Sequence, residues 1–135
     1  MKKLLFFFAC IISFSAWSQV EVTLNFSYAG KPVCNYEITI KHGNAVIGKG
    51  ITDSRGNVSF SDVLLISKDI DIYGRKDVNG GEKTFDAKGY VTLNDDNHAD
   101  IRMDEFAKMV AEDSGGMMPE SFFIDAWGLN SLDCQ

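Results

Sequence analysis

The chain predicts an all-β fold: an antiparallel β-sandwich of about seven to eight strands carrying a short helical C-terminal extension. Three patterns carry that expectation. Apolar residues alternate with polar ones through Val20, Val22, Leu24, Phe26 and Tyr28, and again through Cys34, Tyr36, Ile38 and Ile40, the period of two that a half-buried strand requires. Turn formers interrupt these runs at Gly43-Asn44, at Asp53 to Gly56 and at Asn79-Gly80-Gly81. Beyond Met103 the apolar period becomes helical, which divides the chain into a sandwich over residues 19–103 and an extension over 104–135.

Residues 1–18 read as a secretory signal: Lys2 and Lys3, an apolar run from Leu4 to Phe14, then Ala16-Trp17-Ser18 as a small-x-small cleavage site. The run is shorter than the ~20 residues a bilayer span needs, so no membrane span is expected after cleavage. Ala9-Cys10 would suit a lipoprotein signal, but the apolar run continues past it. Removing 18 of 135 residues leaves 117, one domain's worth, and the loss of two lysines takes the formal net charge from −6 to −8. Such acidity argues against nucleic acid as a partner, because phosphate binding needs clustered Lys and Arg.

The first strand covers residues 20–28. Gly30-Lys31-Pro32-Val33 leads into the second, whose apolar parity is Cys34, Tyr36, Ile38 and Ile40. With Gly43-Asn44 as a two-residue type II′ loop, the returning strand should face Ile47 to Ile40 and Ile51 to Tyr36, with Ala45, Ile47 and Ile51 inward. Asp53 can then accept backbone N–H bonds, and Gly56 frees the backbone to return into Val58 and Phe60.

Gly30-Lys31-Pro32-Val33, the strand after it, and Thr52-Asp53-x-x-Gly56-x-Val58-x-Phe60 resemble the carboxypeptidase regulatory-like domains. These are prealbumin-like (transthyretin-like, Ig-like) sandwiches related to Cna-B-type domains. The resemblance implies a prealbumin-like fold and no particular activity, because its residues mark turns and core. The C-terminal Tyr-Arg-Gly-Ser of the transthyretin-like hydroxyisourate hydrolases has no counterpart in residues 130–135. The Lys–Asn isopeptide bond of Cna-B-like domains lacks its lysine, since none lies in residues 20–28.

Val63 to Ile66 is too short to classify, Ile70 and Ile72 alternate with Asp69, Asp71 and Tyr73, and Phe85 and Ala87 share a parity. Around Asn94 to His98, a five-residue loop would pair Leu93 with Ala99 and Val91 with Ile101 in a hairpin, leaving His98 at its margin. Asp104 is the expected N-cap of a helix using Phe106, Met109 and Val110, stopped by Ser114-Gly115-Gly116. Pro119 opens a second helix with Phe122, Phe123, Ala126 and Trp127 as its apolar stripe.

Candidates for chemistry are few. Cys34 and Cys134 are an even pair in an exported chain, so a disulfide is expected, tying the tail to the sandwich. Asn94, Asp95, Asp96, Asn97, His98 and Asp100 offer oxygen ligands, but a calcium loop begun at Asn94 has Ala99 where glycine is needed and Arg102 among its ligands. Zinc would need both His42 and His98 plus distant carboxylates. Ser54 and Ser59 lack a nucleophile elbow and neither histidine has a local partner pattern, so no catalytic, metal or cofactor residue is assigned. Tyr28, Tyr73 and Tyr90 could stack a sugar, which makes a carbohydrate-binding module the second reading. The densest unexplained feature is Met117, Met118, Phe122, Phe123 and Trp127, which serve either as anchors for a protein partner or as packing against the sandwich. Packing is the favoured use. The chain is therefore expected to be a non-catalytic structural or protein-binding module of the cell envelope, periplasmic or extracellular.

Overall fold

The computed structural model describes residues 19–132 and 134, so residues 1–18, read from the sequence as a secretory signal, lie outside the described residues. Strands β1 (Gln19–Tyr28), β2 (Lys31–Pro32), β3 (Glu37–His42), β4 (Ala45–Ile51), β5 (Asn57–Leu64), β6 (Asp69–Val78), β7 (Gly81–Thr92) and β8 (His98–Arg102) form two four-stranded sheets. The first sheet orders β2-β1-β5, with β8 also on β1; the second orders β4-β3-β6-β7. Helices α1 (Met103–Asp113) and α2 (Glu120–Ala126) and a 3-10 turn (Leu129–Ser131) complete the chain. The fold is thus the expected all-β sandwich with a short helical C-terminus.

The alternating residues make the core. Val22, Leu24, Phe26, Val58 and Phe60 of the first sheet meet Ile38, Ile40, Ile70, Ile72, Phe85 and Ala87 of the second, all buried. Each fully buried aliphatic or phenyl side chain contributes about 1.5–3 kcal/mol, so this interior drives the fold. Val63 joins it after a bulge: Asp62 takes φ +55° and the β1–β5 register shifts, which turns Val63 inward and leaves Leu64 and Ile66 exposed.

The β3–β4 hairpin corrects one expectation. Its loop is Gly43-Asn44, with Gly43 at φ +61° and His42 opposite Ala45, but Ile47 is an extra residue that shifts the register. Ile40 therefore faces Gly48 and Ile38 faces Gly50, while Ile51 pairs with Glu37 and is 65% exposed. The cause lies in the other sheet. A Cβ at Gly48 would stand 3.0 Å from Phe60 Cδ1, and one at Gly50 2.7 Å from Val58 Cγ2. Gly48 and Gly50 let β4 close this side of the sandwich against β5, so they take its inward positions, while Ile47 packs half-buried against the core and Ile51 is left exposed.

A second correction concerns the segment after β7. Leu93 and Ala99 do not face each other in a hairpin, nor do Val91 and Ile101; β8 crosses to the first sheet and runs parallel to β1, with Leu24 opposite Ala99 and Phe26 opposite Ile101. Ile101 is buried either way, so apolar parity is blind to which neighbour the strand takes. The polar loop makes the crossover turn: Asn94 Oδ1 accepts the N–H of Asp96 (2.9 Å) and of His98 (3.0 Å), and Asn97 sits at φ +56°. Arg102 occupies the N-cap of α1 in place of Asp104 without a side-chain capping bond, its guanidinium reaching Glu105 at 2.8 Å instead, and Asp104 lies in the first turn beside Glu105. There the two carboxylates face the positive end of the helix dipole.

The turn between β4 and β5 forms as the sequence suggests. Asp53 Oδ1 accepts the N–H of Arg55 and of Asn57, each at 2.9 Å, and these bonds hold its carboxyl below the ordinary value of 3.8. Gly56 has φ +80°, and a Cβ there would lie 2.2 Å from the carbonyl oxygen of Phe26.

Two outcomes are expected. Gly56→Ala should destabilise the fold well beyond Gly30→Ala: both positions are left-handed, but Gly30 at φ +79° has open space, so that variant should lose only about 1–2 kcal/mol by denaturant melting. The Asp53 contribution is complete above its ordinary pKa of 3.8 and is lost as pH falls through the lower folded value. The acid unfolding midpoint of Asp53→Asn should accordingly be less sensitive to pH in that window than the parent's.

Candidate binding face of the C-terminal extension

The extension is built around Trp127, which directly follows α2 and is 6% exposed. Its indole stacks on Phe106 of α1 (4.9 Å between centroids, 13° between planes) and meets Phe85 of β7 edge-on at 6.3 Å. Phe123 adds a third ring at 5.5 Å. The Trp127 carbonyl oxygen accepts a 2.6 Å hydrogen bond from the buried Tyr36 hydroxyl, whose pKa burial pushes up to about 12. Gly128 follows at φ +79°, where a Cβ would stand 2.9 Å from that same hydroxyl. Side-chain stacking and a backbone bond thus fix the extension over one end of the sandwich.

Covalent closure reinforces it. Cys34 and Cys134 are bonded, with their Cα atoms 5.7 Å apart across a separation of 100 residues. A loop of that length stabilises by up to ~4.7 kcal/mol in the chain-entropy account.

The five tail residues singled out from sequence therefore separate. Trp127 is core and cannot serve as a partner anchor, because its ring is already covered by Phe106, Phe85 and Phe123. Phe123 is partly buried against the same cluster. Phe122, expected in the inward stripe, turns away from it and is 47% exposed; Met117 is 83% exposed and Met118 38%. These three remain on the α1–α2 turn and the first turns of α2, after Gly115 and Gly116 at φ +73° and +79°.

Beside α1, a groove of about 180 Å³ runs between β7 and β8, lined by Tyr90, Val91, Ala99, Ile101, Phe106 and Met109 and by the polar residues Thr92, Asp100, Arg102 and Glu105. It falls short of the ~300–1,000 Å³ of small-molecule pockets, so it is a poor site for a sizeable ligand. Tyr90 is spoken for there: its ring meets Phe106 edge-on at 5.1 Å and its hydroxyl donates to Asp113, which raises its pKa. Tyr73 lies under Lys41 on the second sheet, and Tyr28 packs at the end of β1 on the first. The three tyrosines sit on separate elements, each with its own local contacts.

Sequence reasoning missed the partners of His98. Parallel pairing puts Thr23 opposite it; the Thr23 hydroxyl bonds Nδ1 at 2.7 Å, and Nε2 lies 2.8 Å from Asp100 Oδ1. With the carboxylate accepting from Nε2–H, Nδ1 accepts from threonine. The order Thr–His–Asp is that of an activated nucleophile, but it lies open on the polar face of the first sheet with Asp100 exposed; the Thr23–His98 bond ties β8 to β1, and the His98–Asp100 bond lies within β8. The i, i+2 spacing of His98 and Asp100 offers the carboxylate partner, but no local spacing could reveal the threonine, because 75 residues separate Thr23 from His98. His42 accepts the N–H of Ile66 at 3.2 Å. Among the described residues no three His, Cys, Asp or Glu side chains form a metal-sized group, and no helix is long and apolar enough to cross a membrane.

No known protein family matches the chain, and no curated protein does. Among solved structures, a 9R-lipoxygenase from Cyanothece PCC8801 is similar at 15% identity over 63% of this chain and 16% of its own, with a TM-score of 0.36. The chain spans a small part of that protein, and likeness at this level carries no argument here.

Removing the Trp127 ring should cost about 3–5 kcal/mol, the range for a buried large aromatic. Tyr36→Phe, which deprives a buried carbonyl of its donor, should cost about 1–3 kcal/mol. Thermal or urea melts of Trp127→Ala and Tyr36→Phe check both, and a reductant should lower the parent's melting temperature.

Proposed function

We propose that the chain is a non-catalytic, exported module of the cell envelope that binds another protein through the exposed part of its C-terminal extension. The observation that carries this reading is the division of the aromatic and methionine cluster. Trp127 is spent on closing the sandwich, whereas Met117, Met118 and Phe122 stay in water on a separate segment. Large apolar and aromatic side chains left in water on one short segment are what interface hot spots are made from. Methionine suits such a surface because its flexible thioether adapts to a partner's shape. Export is supported by the signal-like first 18 residues and by the disulfide, which persists in oxidising compartments. The resemblance to carboxypeptidase regulatory-like domains fits a binding module, since the shared residues mark turns and core alone.

The test is capture of envelope proteins by the mature chain with photocrosslinking from position 117 or 122. Phe122→Asp should melt within about 0.5 kcal/mol of the parent, as surface substitutions do, yet lose the crosslinked partner. Undiminished capture by a folded Phe122→Asp, Met117→Asp double variant would overturn the assignment.

A further inference from the structure

The apolar face of the second sheet ends in two lysines. Along β6 and β7 the inward positions run Ile72 opposite Ala87, Gly74 opposite Phe85, and then Lys76 opposite Lys83. Both lysines are half-buried, and their stems cover core elements: Lys76 Nζ lies 5.5 Å from the centroid of the buried Tyr36 ring, and Lys83 Cβ and Cγ abut Gly128. Like charges directly opposite across a strand pair destabilise it. Apolar residues would continue the pattern at lower cost.

An inward lysine on an edge strand can serve to discourage edge pairing, which accounts for Lys83 on β7. It does not account for Lys76, since β6 lies between β3 and β7. Asp77 also lines the recess, but its nearest cation is Arg75, at 2.8 Å, which Glu82 and Glu37 share. Among the described residues neither lysine makes an ion pair. Both lysines line an open recess together with Asp77, Val78, Asn79 and Ser131.

From this arrangement we infer that the recess between the β6–β7 ribbon and the 3-10 turn binds a tetrahedral oxyanion, a sulfate or phosphate group. A divalent anion held between two lysines that stand opposite each other would relieve their mutual repulsion, and Asn79 and Ser131 carry amide and hydroxyl donors on the same recess. The overall charge of −6 repels anions at long range, so occupancy relies on these local groups. The inference is independent of the exposed α2 segment and its partner.

The experiment titrates the folded, disulfide-intact chain with sodium sulfate and with sodium phosphate against sodium chloride at matched ionic strength. Lysine side-chain NMR signals serve as the first readout and melting temperature as the second. Lys76 and Lys83 should shift saturably in the millimolar range, while Lys41 and Lys49 should not. The melting temperature should rise saturably in the parent and lose that component in Lys76→Met, Lys83→Met. Sulfate also stabilises proteins generally by exclusion from their surface. An unsaturating rise of equal size in both proteins, or lysine shifts spread evenly over the surface, would overturn the inference, and the NMR arm needs no variant to fold.

Discussion

Four residues between β2 and β3 hold the molecule together. The N–H of Val33 bonds the Phe26 carbonyl at 3.0 Å, Asn35 N–H bonds the Thr52 carbonyl at 3.0 Å, and Tyr36 N–H bonds the buried Thr52 hydroxyl at 3.0 Å. These bonds join the first sheet to the second where the chain passes between them. Cys34 then links the same segment to the tail through sulfur, and Tyr36 links it again through its hydroxyl to Trp127. Val33, Cys34, Tyr36 and Thr52 are all nearly inaccessible to water, so each of these bonds forms where competition from solvent is weak.

That concentration explains why the extension behaves as part of the sandwich although it is helical. A seven-residue helix such as α2 has little stability alone, because nucleating a turn costs more than its few hydrogen bonds return. Here α2 is delivered between α1, whose Phe106 stacks on Trp127, and a disulfide just beyond the 3-10 turn. Its exposed residues are therefore displayed from a segment tied down at both ends. A preordered surface loses less conformational entropy on binding, and a Met- and Phe-bearing segment gains most from that.

Much of this was legible in the sequence, and what was not has a physical reason. Alternation located β1, β3 and β6 and their inward residues, because those strands lie flat against a continuous core. It failed on β4, where Ile51 looked like core and Gly48 and Gly50 did not. Periodicity scores hydrophobicity, whereas the approach of β4 to β5 leaves little room for a side chain at Gly48 or Gly50. It failed again on β8, whose inward residues suit either sheet and whose parallel partner lies far back in the chain. The disulfide was readable from cysteine count. Which member of the tail cluster would turn inward was not, since Phe122 and Trp127 both fit a helical stripe, and the decision came from Tyr36, Phe85 and Phe106.

The crossover of β8 is also what makes the extension possible. In the expected hairpin, β8 would have stayed beside β7 in the second sheet. Running parallel to β1 instead, β8 passes Ile101 and Met103 into the core and releases the chain as α1 beside the gap between β7 and β8. The opposite side needs no such cover, because the glycines of β4 let the two sheets meet there. The sandwich is thus sealed by backbone approach on one side and by a helix on the other. Exposed apolar residues occur on both parts, with Val46, Ile51, Leu64 and Ile66 on or beside strands. Only the short extension segment brings an exposed phenyl ring, Phe122, together with two exposed methionines, Met117 and Met118, which is why the candidate binding face is placed there.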